Sequence, residues 1–173
     1  MALTTAATAP DSRRRVPAAT TPAGRLAENL LQRLLGYQMA QATIVTQAVF
    51  ERCVGGPLGM RPVEYTVLML VTENRGVSPA QLSRALAVTR PNMTLWVDKL
   101  EARGLVTREK NAVDRRGQHL HATRKGAALA AKATQTLLDA ERSACATLSE
   151  AERLMLAELL HKLASTRGAA PAV

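Results

Sequence analysis

Ser78-Pro79-Ala80-Gln81-Leu82-Ser83-Arg84-Ala85-Leu86-Ala87-Val88-Thr89-Arg90-Pro91-Asn92-Met93-Thr94-Leu95-Trp96-Val97-Asp98-Lys99-Leu100 is the stretch on which the fold turns. Ser78 is an N-cap residue, Pro79 suits the first helical position, and Gln81 stands three residues on, where it can return a hydrogen bond to the cap. These features predict a short helix ending near Leu86. Ala87-Val88-Thr89 reads as a turn, with Thr89 as a second N-cap and Pro91 in the first turn, where a missing N–H costs little. In the second helix Met93, Trp96, Val97 and Leu100 fall at i, i+3, i+4 and i+7, a single buried stripe. Arg90, Asn92, Thr94, Leu95, Asp98 and Lys99 occupy the other side, and Gly104 closes the helix. A second helix that offers Arg, Asn and Thr near its start is built to place side chains in a major groove.

Outward from this pair, Leu105 to Lys110 reads as a strand with Val106, Arg108 and Lys110 on one face. Asn111 to Gly117 reads as a turn and Gln118 to Ala122 as the returning strand. Asp114 beside Arg115 and Arg116 suits a tip that touches a phosphate backbone or a narrow A·T-rich minor groove, where Arg is favoured. The predicted architecture is mainly α: a winged helix-turn-helix flanked by helices. An aromatic content of 2% fits this, because a core of Leu, Ala, Val and Met favours helices.

The run from Leu82 to Thr123 resembles the multiple-antibiotic-resistance regulator (MarR) family of bacterial transcription factors. The resemblance is carried by the Pro91 helix, by Asp98-Lys99-Leu100-Glu101-Ala102-Arg103-Gly104-Leu105-Val106 and by Asp114-Arg115-Arg116. Leu95 stands where many members carry a polar or basic residue, and Ala122 replaces the usual Leu before Thr123. The resemblance implies a homodimeric regulator, usually a repressor, that binds a pseudo-palindromic operator. It also implies release by a small, often phenolic or aromatic carboxylic, effector bound between the dimer helices and the reading head, and a place in the bacterial cytoplasm on the nucleoid. Arg84, Thr89, Arg90, Asn92, Thr94, Leu95 and Lys99 are the expected DNA contacts of the helix pair. Arg108, Lys110, Asp114, Arg115 and Arg116 are those of the wing. Tyr37, Tyr65, Arg84 and Arg90 are the candidates for the effector. For Tyr65 a core position with its hydroxyl at the edge is the plainer reading.

Along the rest of the chain, residues 1–23 read as a disordered arm of Ala, Thr, Pro and Arg with Arg13-Arg14-Arg15 in its middle, able to add phosphate contacts. Residues 24–60 read as a dimerisation helix and loop. One long helix is expected from Gly24 to Cys53, with more apolar surface than one small core consumes, broken by Gly55-Gly56-Pro57-Leu58-Gly59. Residues 61–123 form the winged unit, preceded by a helix from Val63 to Asn74. Residues 124–166 hold two further dimerisation helices; the last opens with the capping box Ser149-Glu150-Ala151-Glu152 and carries Leu154, Leu156, Leu159, Leu160 and Leu163. Residues 167–173 form a flexible tail.

Charge supports the same assignment. The chain is 173 residues long with a net charge of +9, and residues 75–125 alone carry eleven Lys or Arg against four acids. Positive charge concentrated on a reading motif is the footprint of a nucleic-acid binder. Nothing is apolar for long enough to span a membrane, and no catalytic motif is present, so neither an enzyme nor a cofactor is expected. His119 and His121 share a strand face, but a metal site there would need ligands from elsewhere. Cys53 and Cys145 lack a disulfide spacing; burial is their expected fate, and redox sensing the sharper alternative. An architectural DNA binder of low specificity is the other alternative. Against it, Asn92 and Thr94 suit base edges and are wasted on phosphate alone. Replacing Arg116 by Ala should weaken binding to every duplex and flatten the dependence of log K on log salt by about one unit. Anisotropy titrations at several salt concentrations measure both effects.

Overall fold

The computed structural model describes residues 20–110 and 118–168. They form two units that divide between Thr43 and Ile44. In the first unit Thr20 pairs with Ala27 across a turn in which Gly24 and Arg25 both have positive φ. A single 3-10 turn at Leu31–Arg33 precedes helix α1, Leu35–Phe50. The long helix expected from Gly24 therefore begins eleven residues late. Two successive left-handed residues cannot join a right-handed helix, and the Thr21 N–H bonds to Leu26 O instead.

The expected break at Gly55-Gly56 is also displaced. The helix passes through a π-turn, Glu51–Gly55, into a last turn, α2, Gly56–Leu58, and stops at Gly59 with φ 55°. Pro57 has no N–H to give the carbonyl four residues back. The wider π register carries the chain past that gap: the Gly56 N–H bonds to Glu51 O.

Helices α3 (Pro62–Glu73), α4 (Pro79–Leu86) and α5 (Arg90–Ala102) follow, then strands β1 (Val106–Lys110) and β2 (Gln118–Ala122). The strands pair antiparallel with Val106 opposite Ala122 and Lys110 opposite Gln118. Beyond β1, β2 bonds to the segment before α4: the Leu120 N–H donates to Val77 O, and the Gly76 N–H donates to Leu120 O. Helices α6 (Arg124–Ala144) and α7 (Glu150–Ser165) complete the described chain. No helix among the described residues is long and apolar enough to cross a membrane.

The main core gathers Val67, Leu68 and Val71 of α3, Leu82 of α4, Met93, Val97 and Leu100 of α5, and Leu105, Val106 and Leu120 of the ribbon. The α5 stripe is thus the one its 3.6-residue period predicted, with Trp96 at the margin. A second cluster joins Val49, Phe50 and Val54 to Ala133 and Leu137 of α6. Helix α7 has no buried residue, and its leucines stay exposed. It stands on its capping box, in which Ser149 accepts from the Glu152 N–H and Glu152 accepts from the Ser149 N–H at 2.7 Å.

At one point the packing leaves no room for a side chain. A Cβ on Gly126 would lie 2.0 Å from the carbonyl oxygen of Leu105 and 2.8 Å from its carbon. Both are backbone atoms held by the ribbon. Gly126→Ala should therefore lower stability by about 1–3 kcal/mol despite the better helix propensity of Ala. At Gly36 nothing lies within 4 Å of the added carbon, so Gly36→Ala should raise stability by roughly 0.5–1 kcal/mol. Urea unfolding of the two variants checks the opposite signs.

Candidate nucleic-acid interface

The geometry of α4 and α5 follows from their caps. Ser78 Oγ accepts from the Gln81 N–H at 3.3 Å, while the Ser78 N–H donates to Gln81 Oε1 at 2.9 Å, so α4 starts at a fixed point. It ends at Ala87, which takes a left-handed conformation (φ 52°) that a non-glycine residue adopts at some cost. That bend turns the chain into α5. Thr89 occupies the N-cap position of α5, but its hydroxyl makes no capping bond. The expected second cap is absent, and Pro91 in the first turn leaves one N–H fewer to satisfy.

The positive charges then sort into two groups. Arg84, Arg90 and Asn92 are exposed, and their side chains make no hydrogen bond or ion pair with the described residues. They lie at the end of α4 and the start of α5, the part of a helix-turn-helix that enters a groove. Thr94 is exposed too, but its hydroxyl donates to Arg90 O at 3.1 Å, leaving only its acceptor capacity for a ligand.

Arg75 and Arg124 are likewise exposed and without a side-chain partner among the described residues, whereas four other cations are occupied. Lys99 Nζ lies 3.2 Å from Glu64 Oε1, linking α5 to α3. Arg103 donates to Leu58 O at 2.8 Å and to Gly59 O at 3.3 Å. Arg108 turns from the ribbon toward α5, bonding Asp98 and reaching Glu101 at 3.3 Å. Lys125 donates to Arg103 O at 2.9 Å. Lys99 and Arg108, expected as DNA contacts, thus each carry an acidic partner that ties α5 to α3 and to the wing. A sequence reading could not pair Lys99 with Glu64, 35 residues away; the signal present was only that Glu64 follows Arg61-Pro62 at a capping position, and it does accept from the Arg61 N–H at 3.0 Å. The side chain of Lys110, and residues Asp114, Arg115 and Arg116, lie outside the described residues.

Between α4 and the start of α5 is a hollow lined by Arg84, Thr89 and Arg90 over Ser83. It adjoins a second one reaching Pro79, Thr94 and Gln118. Ser83 is 7% exposed, and its hydroxyl has no partner among the described residues. A buried hydroxyl left unpaired costs free energy unless something supplies a partner. No local pattern singles out Ser83, which reads as an ordinary helix position.

The two tyrosines do not line these hollows. Tyr65 packs its ring 5.8 Å from that of Phe50 and shares a 2.8 Å hydrogen bond with Thr134 Oγ1. Tyr37 donates to Glu28 Oε2 at 2.6 Å within the first unit, a bond that raises its phenol pKa. His119 Nδ1 lies 2.6 Å from Gly76 O, and His121 lies 3.2 Å from Glu109, so both serve the root of the wing. No group of three metal-ligating side chains occurs among the described residues. Cys53 and Cys145 are free thiols, each half-buried.

Comparison with known proteins bears on this arrangement. The MarR family profile matches residues 58–117. A Thauera aromatica protein, named as the transcriptional regulatory protein for the hcr operon, is 32% identical over 129 residues, covering 75% of this chain and 78% of that protein. The transcriptional repressor CouR, solved on a 23-mer DNA duplex, superposes with a TM-score of 0.74 at 31% identity, covering 80% of this chain and 98% of CouR. A cysteine-to-serine variant of E. coli MarR, solved with operator DNA, gives 0.66 at 25% identity over 75% of this chain and 92% of that one.

The Glu64 strut makes the reading helix sensitive to acid. Burial opposes ionisation of Glu64, but the Arg61 N–H, the Lys99 hydrogen bond and the charges of Lys99 and Arg61 outweigh it and hold the carboxyl below its ordinary range. A carboxylate with a depressed pKa stabilises above its unfolded value, roughly 4.3, and loses that contribution as pH falls through the folded value. Glu64→Gln should cost about 1 kcal/mol near pH 7, a figure kept low because Lys99 is half-exposed. Urea midpoints measured from pH 7 to pH 3 should show the gap from wild type closing only below the ordinary glutamate range.

Proposed function

Because the chain belongs to the MarR family of DNA-binding transcriptional regulators, we propose that it represses transcription as a homodimer on a pseudo-palindromic operator and leaves it when a small aromatic or phenolic acid binds. The observation that carries this reading is the set Arg84, Arg90 and Asn92 at the mouth of the helix pair, whose side chains have no partner among the described residues, backed by cations spent on rigidity. In each subunit the start of α5 would enter a major groove. Arg90 and Asn92 would meet base edges, and Arg84 and Thr89 the phosphates beside them. Arg115 and Arg116 would lie in the flanking minor groove, with Lys110 near its rim. Two-fold symmetry then sets half-sites about one turn apart, roughly 34–36 Å.

A homodimer is supported by the apolar residues that the described chain leaves uncovered, Leu154, Leu159 and Leu163 of α7 among them. An exposed leucine face of this length is an interface waiting for a partner. The effector reading is supported by the hollow under Arg84 and Arg90, where two cations and the unpaired Ser83 hydroxyl could hold a carboxylate. Such a ligand acts only by binding more tightly to the form that does not fit DNA. The cytoplasm and nucleoid follow as the place of action.

The test is an anisotropy titration of the DNA upstream of its own gene and of other candidate operators against scrambled duplex near 150 mM salt, repeated with a panel of aromatic acids. A preference of about a thousandfold or more supports a specific regulator. Equal binding to every duplex would favour a low-specificity architectural protein. Asn92→Ala should cost about 1–3 kcal/mol on the preferred operator and much less on scrambled DNA. An equal loss on both would exclude Asn92 as a base reader.

A further inference from the structure

Large apolar side chains exposed to solvent are confined, among the described residues, to two regions with one exception. They lie between Leu26 and Val45 and between Leu138 and Leu163; the exception is Leu95 of α5, 50% exposed. It belongs to neither core cluster and is not among the residues packed against them. At about 100° per residue, Leu95 projects on the side of α5 opposite Met93, Val97 and Leu100, which are buried. It is therefore the central residue of the outward face, between Pro91 one turn before and Asp98 one turn after.

Its neighbours on that face leave it little polar competition. The Asp98 carboxylate is held by Arg108, and the Thr94 hydroxyl is held by Arg90 O. Polar readout is left to Arg90 and Asn92, nearer the helix start. What the middle of the helix presents to a groove floor is an isobutyl group. The major groove carries one apolar feature, the C5-methyl of thymine, and an aliphatic side chain is its complement.

We propose that Leu95 reads a thymine methyl group, so that each operator half-site contains a thymine whose methyl, as distinct from its hydrogen-bonding edge, sets affinity. This rests on the reading of α5 as the helix that enters the major groove. The bound chemistry is specified: a 5-methylpyrimidine facing Leu95. Deoxyuridine pairs as thymidine does and lacks only that methyl.

Every thymidine of the preferred operator is replaced in turn by deoxyuridine, and binding is measured by anisotropy for the wild type, Leu95→Ala and Leu95→Met. One position per half-site should lose about fourfold in affinity with the wild type, the value of one buried methyl. Leu95→Met should keep that sensitivity, and Leu95→Ala should bind the two duplexes equally. Circular dichroism and an unchanged urea unfolding midpoint show that the variants are folded. If the operator is preferred but no replacement separates wild type from Leu95→Ala, Leu95 does not read a methyl and the parent reading stands. If no duplex is preferred over scrambled DNA, the parent reading fails and this inference fails with it.

Discussion

The reading head depends on a junction of a few backbone atoms behind α5. Arg103, Gly104 and Leu105 leave the helix through a left-handed glycine, and each of their carbonyls is taken by the start of α6. Lys125 bonds Arg103 O at 2.9 Å, the Thr123 hydroxyl bonds Gly104 O at 2.8 Å, and the Thr123 N–H bonds Leu105 O at 3.0 Å. The same hydroxyl accepts from the Gly126 N–H at 2.9 Å, capping α6. One threonine thus ends one helix and begins the next, and Gly126 allows the two backbones to approach within the space of a missing methyl. Helix α5 can be aimed because its rear end is fixed.

From that fixed point the remaining struts fall into place. Lys99 and Arg103 tie α5 to the start of α3 and the end of α2, and Arg108 ties it to β1 through Asp98. Each would be a weak contributor alone at a surface. Together they set three directions for one helix, and their worth lies in geometry more than in free energy. Positive charge that looked like a footprint for phosphate is divided between holding the helix and offering a contact. Of the second group, Arg84 and Arg90 sit at the helix mouth, while Arg75 and Arg124 flank it in sequence.

How much of this could be read in advance differs by scale. The Ser78 cap, the Pro91 turn, the Met93–Val97–Leu100 stripe and the spans of the two ribbon strands are local, set by short-range pattern, and were legible. So was the last helix from its Ser149 box. The start of α1 was not legible, because apolar periodicity continues through Gly24–Leu34 while the backbone there is turned by left-handed residues. Nor was the continuation past Gly55, because a π-turn is a response to Pro57 that composition does not announce. The fates of Lys99 and Arg108 depend on residues brought together by the fold, and on a helix wheel they are indistinguishable from the uncommitted cations.

Helix α7 has a further consequence. It is ordered by its cap and its own ion pairs, of which Lys162 to Glu158 at 2.6 Å is one, yet its leucine side lies in water. A sixteen-residue helix is marginal when it stands alone, so its order and the covering of its apolar side are one thermodynamic event. In the proposed homodimer mass action would then enter the folding equilibrium, and the melting temperature would carry a logarithmic dependence on the chain's own concentration. In a cell such a homodimer's subunit would be most open to proteases when scarce, and abundance would protect it.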